Sequence, residues 1–408
     1  MKERKKVIIV GGGLAGLACA VTLRKGGVDA QVLERSDGVG GRVRTDSVNG
    51  FLLDRGFQVY LSAYPEAGRM LDLKALDLRR FRAGALVFRN QKMHRVMDVF
   101  RHPGDLIGSA LAPIGSLGDK LRVAKLRFKK RGVSQSADRS TEEFLRDFGF
   151  SERMIDGFFR AFYGGIFLER ELRTSSRMFE FTFQMFTDGY ATLPAGGMRA
   201  IPDQLAARLP AESIHLNTEV RSVEERAVAL ETGERWEADA VVVATDARTA
   251  RRLLPEPGTE EVAWRAVTGI YFSAPHSPMN EAIIALNGDG DGLVNNVCVI
   301  SDVVPEYAPL GKSLISVSVL GVDETNDLES RVLAELENWF GGQVRAWKHL
   351  RTDRIKQALP EQPRTPLKNG IQKRNSVFLC GDHCTSASIE GAIVSGKDTA
   401  AAVLASLK

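Results

Sequence analysis

The sequence is poor in cysteine, in net charge and in long apolar runs, and each shortage excludes a class of protein. Its 408 residues include four cysteines, which are too few and too scattered for a disulfide framework. The 55 Lys and Arg nearly balance the 51 Asp and Glu, so the net charge of +4 predicts no nucleic-acid partner. The uncharged run 7–23 contains three consecutive glycines, which favour a turn over a membrane-spanning helix. We therefore expect a cytoplasmic protein.

Glycine, in contrast, is placed with a pattern near the start of the chain. Val7–Val10 is an apolar, β-branched run typical of a strand buried on both faces of a parallel sheet. Gly11, Gly13 and Gly16 follow as G-x-G-x-x-G, in which side chains would obstruct a tight turn, a pyrophosphate and helix packing, respectively. A helix to about Arg24 and a second strand at 28–33 complete a βαβ unit.

An acidic residue follows the second strand at the position expected for a dinucleotide site. Glu34 can accept hydrogen bonds from both hydroxyls of an adenosine ribose, and its charge disfavours the 2′-phosphate of NADP. Leu14 and Ala15, at the helix start, and Arg35, beside Glu34, complete this first set of cofactor residues. The alternative is a structural strand-to-helix turn, and the pattern does not separate NAD from FAD.

A second glycine cluster narrows the choice. Gly40 and Gly41 allow the backbone to approach a ligand, and Arg42 can contact a phosphate. Together with Thr45 they form G-G-R-x-x-T, which resembles the flavin amine oxidase superfamily, including phytoene desaturases and protoporphyrinogen oxidases. The resemblance implies FAD as cofactor. It also implies that Gly56-Phe57-Gln58 lies around the isoalloxazine ring.

The carboxyl end of the chain carries the matching motif. A strand-like run at 377–380 precedes Gly381-Asp382, where a turn and a helix start can contact a sugar alcohol or a phosphate. The helix then begins near Glu390-Gly391-Ala392, in a segment that most resembles the terminal helix of plant-type phytoene desaturases. Taken alone, this segment also fits an ordinary amphipathic terminal helix.

The resemblance covers nearly the whole chain and implies its architecture. We expect an α/β protein with a Rossmann-like FAD-binding domain of the glutathione-reductase type and an inserted α+β substrate domain that carries a mixed sheet. The FAD domain is predicted to comprise 1–77, 195–250 and 370–408, and the substrate domain 78–194 and 251–369. Residues 214–223 and 240–246 are predicted strands of the FAD domain, and Val220 corresponds to a position whose backbone contacts adenine.

The substrate is less clearly indicated than the cofactor. Amine oxidases of the superfamily place an aromatic cage residue shortly before the E-G-A motif, where this chain has Ser386-Ala387-Ser388. Because an aromatic cage attracts amines by cation–π interaction, its absence here favours a hydrophobic, isoprenoid- or carotenoid-like substrate and a desaturase or oxidase reaction. Amine oxidation, protoporphyrinogen-type oxidation and a noncatalytic FAD-stabilised scaffold remain alternatives. Oxygen or a quinone is the expected electron acceptor.

No catalytic base is identified by the sequence. His383 titrates near neutrality when free, but histidines beside such turns more often bond backbone groups. Gln58 and Tyr60 can line the flavin face or simply pack in the core. Cys380 and Cys384 flank Gly381-Asp382 without a further ligand cluster, so no metal is expected.

One segment of the first insertion combines basic and apolar residues. Residues 119–131 contain seven Lys or Arg together with Leu121, Val123, Leu126 and Phe128, and a nearly uncharged stretch precedes them. A solvated basic helix is the favoured interpretation. The alternative is peripheral contact with a membrane through 106–131. In the same insertion, Ser140 and Thr141 precede a predicted helix.

Overall fold

The computed structural model describes residues 5–105, 108–109, 112–129, 138–255, 262–362 and 372–408. Its strands are β1 Val7–Val10, β2 Ala30–Leu33, β3 Thr45–Val48, β4 Phe51–Asp54, β5 Tyr60–Leu61, β6 Leu78–Arg80, β7 Gly84–Arg89, β8 Lys92–Met97, β9 Ala191–Pro194, β10 Ile214–His215, β11 Val220–Glu224, β12 Ala227–Leu230, β13 Arg235–Glu237, β14 Ala240–Val243, β15 Trp264–Ala274, β16 Ile284–Asn287, β17 Val294–Val299, β18 Ser313–Leu320, β19 Lys348–Pro360, β20 Gln372–Arg374 and β21 Val377–Leu379. Its α-helices are α1 Leu14–Lys25, α2 Pro65–Met70, α3 Leu117–Arg127, α4 Thr141–Asp147, α5 Glu152–Met154, α6 Arg160–Phe167, α7 Ser176–Asp188, α8 Ala200–Ala206, α9 Ala247–Leu253, α10 Ile300–Val303, α11 Leu328–Phe340 and α12 Ile389–Ser406. A π-helical turn, Ile155–Phe159, joins α5 to α6.

The first sheet gathers strands from three distant parts of the chain. Its order is β10-β2-β1-β14-β21-β20, and all neighbours are parallel except β20 and β21. The predicted β1-α1-β2 unit is therefore present, although β2 begins at Ala30 rather than Val28. The carboxyl ends of β2, β1, β14 and β21 meet at one edge, where ligands of such sheets bind.

One sequence prediction for this region is wrong. Residues 214–223 do not form a single strand, because β10 pairs with β2 while β11 belongs to a separate three-stranded sheet with β12 and β13. The chain turns between them where the backbone N–H of Thr218 donates to the carbonyl oxygen of Glu34, 2.8 Å away. The turn places Val220 close to the end of β2.

Two helices cover the first sheet in very close contact. Helix α1 is buried along most of its length and packs on α12. A Cβ atom added to Gly396 of α12 would lie 2.1 Å from the carbonyl oxygen of Ala15 in α1. Only glycine at this position allows the two backbones to approach so closely.

The second sheet is larger and mixed. Its order is β19-β15-β18-β17-β16-β7-β8, and β16 with β7 is its one parallel pair. The sequence of the second insertion, 251–369, predicts strands at 267–272, 282–286, 294–300 and 314–320, and these correspond to β15, β16, β17 and β18. The hairpin β7-β8 and the long edge strand β19 were not predicted. They widen the sheet on both sides, and β19 pairs along most of β15.

Helices of the first insertion form an aromatic core against the second sheet. Phe179 of α7 is fully buried, and rings of Phe144, Phe159, Tyr163 and Phe183 lie with centroids 4.7–5.9 Å from its own. The predicted start of α4 is confirmed, because Ser140 and Glu143 form a reciprocal capping box. Within the described residues, no helix has both the length and the apolar character needed to cross a bilayer.

Candidate functional site

The turn after β1 leaves open space where the pyrophosphate of a dinucleotide could lie. A Cβ on Gly16 would lie 2.1 Å from the carbonyl oxygen of Gly11, and one on Gly11 would lie 2.7 Å from that of Ala244. Gly13 differs, because a Cβ there would meet no atom within 4 Å. Gly11 and Gly16 therefore serve the packing of the turn, whereas Gly13 borders an unfilled cradle. This is the arrangement that a bound pyrophosphate requires.

Helix α1 begins at this cradle without a side-chain cap. Gly13 is its N-cap residue and offers no side chain to the N–H groups of the first turn, which begins with Leu14 and Ala15. The first turn also contains no acidic residue. Unpaired N–H groups and the positive end of the helix dipole together favour an anion at this point.

The second glycine cluster closes over the first. The N–H of Gly40 donates to the carbonyl oxygen of Gly12, 2.8 Å away, and Gly13 and Gly40 form a parallel bridge. A Cβ on Gly41 would lie 3.5 Å from the Cα of Gly13. The two clusters that the sequence singled out are thus adjacent, and both border the cradle.

Glu34 lies buried at the end of β2. Its carboxylate accepts hydrogen bonds from the N–H of Gly12 at 2.7 Å and from the N–H and hydroxyl of Ser36 at 2.9 and 2.7 Å. An ionised carboxylate has about four acceptor sites, so these three donors leave capacity for one more. A ribose hydroxyl can supply that donor. Val220 is buried, and the contact of its backbone with adenine stays a prediction.

Basic side chains border the cleft beside Glu34. Arg35, Arg248 and Arg252 are exposed, and with Thr249 and Gln357 they line a cleft of about 320 Å³. Arg248 and Arg252 come from α9, which follows β14 at the same edge of the sheet. Three guanidinium groups favour entry of an anionic ligand such as a dinucleotide. The sequence had indicated only Arg35.

Arg42 brings three separate segments together. Its guanidinium forms an ion pair with the buried carboxylate of Asp382 at 2.6 Å and donates to the carbonyl oxygen of Ala358 at 3.2 Å. The indole ring of Trp264 lies 5.4 Å from it, within cation–π distance. The backbone N–H of Gly381 is held by the hydroxyl of Ser395 at 3.0 Å. The amino-terminal and carboxyl-terminal motifs therefore meet under a cover formed by β15 and β19.

The Gly56-Phe57-Gln58 segment lies next to Arg42. The side-chain amide of Gln58 donates to the carbonyl oxygens of Arg42 at 2.8 Å and Arg55 at 3.1 Å. Gly56 has φ +82°, and a Cβ there would lie 2.8 Å from a methyl carbon of Ile355 in β19. Gln58 therefore fixes the turn, and its side-chain NH₂ group is already committed to backbone oxygens.

His383 has two ring nitrogens that lack partners. Both are buried, and neither has a hydrogen-bond partner among the described residues. Burial lowers the pKa of His383, which favours a neutral ring with one donor and one acceptor. This differs from the expected bonding to backbone groups. The indole N–H of Trp264 is unpaired in the same way, and such buried polar atoms indicate that a polar ligand belongs here.

The Glu390-Gly391-Ala392 motif takes part in packing within the protein. The carboxylate of Glu390 accepts hydrogen bonds at 2.9 Å from the N–H groups of Glu66 and Ala67, at the start of α2. A Cβ on Gly391 would lie 1.9 Å from the carbonyl oxygen of Ser386, and Ala392 is half-buried in the next position. The side chain of Glu390 is therefore directed to α2, and a cofactor contact through the backbone at 390–392 stays a prediction.

Tyr60 is buried on the same side as Glu390. Its hydroxyl has no hydrogen-bond partner among the described residues, and its ring contacts that of Tyr64 with centroids 5.5 Å apart. Burial, assisted by the negative charge of Glu390, raises the pKa of Tyr60 well above its usual value. A tyrosine with so high a pKa is a neutral group at physiological pH and does not act there as a base.

Asp54 is the site residue whose role sequence reasoning missed. Its buried carboxylate accepts from the hydroxyl of Thr45 at 2.5 Å, the hydroxyl of Tyr307 at 3.0 Å and the N–H of Met198 at 3.1 Å. Burial raises the pKa of Asp54 to about 6, although these donors oppose the shift. Arg351 of β19 also donates to its carbonyl oxygen, 3.1 Å away. Asp54 thus ties the turn at Gly56 to both halves of the chain.

The cysteines near the site are inert packing residues. Cys380 is fully buried, and burial raises the pKa of Cys384 to about 12. A thiol with so high a pKa stays protonated at neutral pH and is a poor nucleophile. In the described ranges, no three His, Cys, Asp or Glu side chains are grouped closely enough to hold a metal ion.

A protein-family model matches this chain along almost its full length, and individual relatives match parts of it. Residues 14–404 match the family model described as flavin containing amine oxidoreductase. Protoporphyrinogen oxidase 2 of Arabidopsis thaliana is 29% identical over 165 residues, which cover 40% of this chain and 32% of that protein. An L-amino acid oxidase of Bothrops pictus is 25% identical over 308 residues, covering 66% of this chain and 58% of that protein. The chain thus spans less than two thirds of these relatives.

A solved structure shows the same fold. The crystal structure of an oxidoreductase from Methanosarcina mazei superimposes with a TM-score of 0.76 at 19% identity, covering 96% of this chain and 99% of that one. The predicted α/β fold with a second, mixed sheet is therefore confirmed.

Proposed function

The chain belongs to the flavin-containing amine oxidoreductase family, and we propose that within this family it oxidises a hydrophobic, isoprenoid- or carotenoid-like substrate as a desaturase or oxidase. Membership confirms the predicted superfamily, the oxidoreductase class and FAD as the cofactor. The division of the chain into two domains and the individual cofactor residues stay predictions.

The residues at the sheet edge fit FAD from one end to the other. Glu34 has one acceptor site left for a ribose hydroxyl, and the open side of Gly13 faces the uncapped start of α1. Arg42 and the unpaired His383 ring lie where the chain's two motifs meet. FAD supplies a hydride acceptor for the oxidation of a C–H bond. The protein's part is to hold and orient, and β15 and β19 cover the site against water.

The proposed substrate class depends mainly on the segment before α12. Where amine oxidases of the superfamily carry an aromatic cage residue, this chain has Ser386, Ala387 and Ser388. Their small side chains serve local structure, since the hydroxyls of Ser386 and Ser388 lie 3.1 Å apart and Ser388 caps α12 by accepting from the N–H of Gly391 at 2.9 Å. This position thus provides no aromatic face to attract a cationic amine.

The alternatives come from the relatives. A protoporphyrinogen oxidase and an L-amino acid oxidase are among the matches, and family membership supports porphyrinogen or amine oxidation as well as it supports our proposal. Oxygen or a quinone is the proposed electron acceptor. A noncatalytic scaffold stabilised by FAD is the second alternative, and it predicts a flavin that no donor reduces.

An anaerobic reduction experiment separates these reactions. The FAD-loaded protein is mixed without oxygen with a carotenoid precursor in detergent micelles, with putrescine or L-leucine, and with protoporphyrinogen, and the visible absorption of the flavin is followed. We expect the isoprenoid alone to bleach the flavin, and air or a quinone to restore the colour. Bleaching by only the amines or only the porphyrinogen would replace the proposed substrate with that class.

A control variant shows whether bleaching comes from the bound flavin. Gly13→Ala should leave the fold intact, since a Cβ there meets no protein atom, but should prevent FAD from binding. The same donors mixed with this variant and an equal amount of free FAD should produce no bleaching. Equal bleaching in both samples would mean that the donors reduce free flavin without help from the protein, and would contradict the proposed enzymatic step.

A further inference from the structure

Helix α3 exposes a row of large apolar side chains. Leu117, Leu121 and Phe128 are 69%, 72% and 71% exposed, and their spacing places them on one face of the helix. Phe100 is 51% exposed and extends the row, because its ring contacts that of Phe128 edge-on with centroids 5.6 Å apart. We name these four residues the α3 patch. Exposed large apolar groups in one contiguous patch mark an interaction site.

The opposite face of α3 fixes the helix firmly to the protein. Asp119 is fully buried and accepts hydrogen bonds of 2.7–2.8 Å from the N–H and hydroxyl groups of Ser116 and Ser151. Leu126 is 5% exposed on the same inner face. The inner face of α3 is therefore buried against the protein, and the α3 patch lies on its outer face.

The charged residues of α3 itself are mostly basic. Asp119 is the only acidic residue of α3, and it is buried, whereas four basic residues lie along the helix. On a helical projection Lys120 and Arg127 flank the apolar row on one side, and Arg122 and Lys125 flank it on the other. Lys125 is exposed, and Arg127 is paired with Asp98 at 2.7 Å. An apolar row between basic flanks is typical of a helix that lies in a membrane interface.

We propose that the α3 patch is the surface through which this protein binds an anionic lipid bilayer. The apolar side chains insert between the lipids while the basic flanks contact anionic headgroups, as amphipathic interfacial helices do. The patch is convex, since its side chains protrude from one helix, and it therefore suits a soft bilayer better than a rigid partner. A second copy of the chain would bring two basic rims together, which disfavours self-association.

Vesicle co-sedimentation of the FAD-loaded full chain tests the proposal. The protein is centrifuged with vesicles of phosphatidylcholine alone and with a two-to-one mixture of phosphatidylcholine and phosphatidylglycerol, at low and at high salt. We expect binding to the mixed vesicles, weaker binding at high salt, and little binding to phosphatidylcholine alone. Absence of binding to either vesicle, or equal binding to both, would overturn the proposal.

Paired variants locate the contact. Leu121→Gln combined with Phe128→Gln should weaken binding by about tenfold or more, because two inserted apolar groups are lost. Leu310→Gln is the matched control, since Leu310 is fully exposed outside the patch, and it should bind as the parent protein does. Lys125→Gln should weaken binding roughly fivefold by removing one basic charge. Unchanged binding of the double variant would overturn the assignment.

Two further measurements separate lipid binding from misfolding and from self-association. The flavin-to-protein absorbance ratio and the melting temperature of each variant should equal those of the parent, because the substituted side chains are exposed. Light scattering of the parent should show no self-association that the double variant loses. Self-association through the patch would contradict the proposal and identify a second copy as its occupant.

Discussion

The cofactor cleft and the aromatic core formed by helices of the first insertion are built in opposite ways. Around the cleft, elements approach until no side chain fits between them, as at Gly16 and Gly396, where an added Cβ would lie 2.1 Å from a backbone oxygen. In the aromatic core, Phe179 is surrounded by four other rings and the space is filled by side chains. The cleft therefore depends on backbone positions, whereas the core depends on side-chain volume.

Polar groups in the two regions differ as well. In the first insertion, the buried Glu169 is fully engaged, since it accepts from Thr174 at 2.6 Å and pairs with Arg265 at 3.0 Å. In the cleft, the His383 ring and the indole N–H of Trp264 are buried without partners among the described residues. Glu169 is thus satisfied by protein groups alone, whereas these two side chains of the cleft can accept a polar ligand as partner.

The largest effect is expected in the aromatic core. Phe179→Ala removes a fully buried ring and should lower the free energy of unfolding by about 3–5 kcal/mol, measured by denaturant titration. The ring is distant in sequence from the glycines of the cleft and belongs to a different hydrophobic cluster. The amount of FAD bound per folded chain should therefore stay unchanged. Phe128→Ala, at a 71% exposed ring, is the control and should change stability by less than about 0.5 kcal/mol. A parallel loss of FAD in Phe179→Ala would show that the regions are not independent.

The next prediction contrasts two glycines of the same turn. Gly16→Ala forces a Cβ to within 2.1 Å of the carbonyl oxygen of Gly11 and should cost about 3 kcal/mol of unfolding free energy even without FAD. Gly13→Ala meets no protein atom and should change the FAD-free protein by less than about 1 kcal/mol, yet abolish FAD binding. Thermal unfolding of FAD-free protein and FAD titration measure the two effects. Normal FAD binding by Gly13→Ala would place the pyrophosphate elsewhere.

The sequence predicts the cleft better than its surroundings for a physical reason. The β1-α1-β2 unit and the glycine clusters depend on residues close together in the chain, and the family resemblance assigned both Arg42 and Asp382 to the FAD site. The partners of Asp54 could not be predicted, since Met198 and Tyr307 are 144 and 253 residues away. Strand β19 was missed because its many charged residues hide the alternation that marks a half-buried strand.

Substitution of Asp54, which lies where the cleft meets the second sheet, is tested by the pH dependence of the free energy of unfolding. Its folded pKa of about 6 lies above the ordinary value of 3.8, so the stability it contributes is present below pH 4 and is lost as pH rises towards 6. Asp54→Asn keeps an oxygen that accepts from Thr45 and Met198, and its amide group can hydrogen-bond the hydroxyl of Tyr307. The asparagine side chain cannot ionise. Between pH 4 and pH 7 the variant should therefore gain up to about 3 kcal/mol relative to the parent.

Denaturant titrations across this pH range measure the change. Asp239→Asn is the matched control, because the N–H of Lys6 lowers the pKa of Asp239 and the stability it contributes is lost as pH falls. That loss occurs below about pH 4, so the difference between Asp239→Asn and the parent should stay nearly constant between pH 4 and pH 7. A difference between Asp54→Asn and the parent that is independent of pH would mean that Asp54 is ionised throughout.

The smallest effects come from two glutamates that the sequence assigned to the same cofactor. Glu34 retains an acceptor site at the cleft, whereas the carboxylate of Glu390 is directed to the N–H groups of Glu66 and Ala67. Glu34→Gln should weaken FAD binding by roughly 1.5–3 kcal/mol, the typical contribution of a charge-assisted hydrogen bond. Glu390→Gln should leave FAD binding unchanged and lower the free energy of unfolding by about 1–2 kcal/mol, since α2 loses a charged cap. FAD titration and denaturant unfolding of both variants form a crossed test. The contrary outcome is that Glu390→Gln weakens FAD binding as strongly as Glu34→Gln does. In that case the carboxylate of Glu390 would have to turn from α2 towards the flavin when FAD binds. The contrast between ligand-facing and packing residues of the cleft would then fail at Glu390.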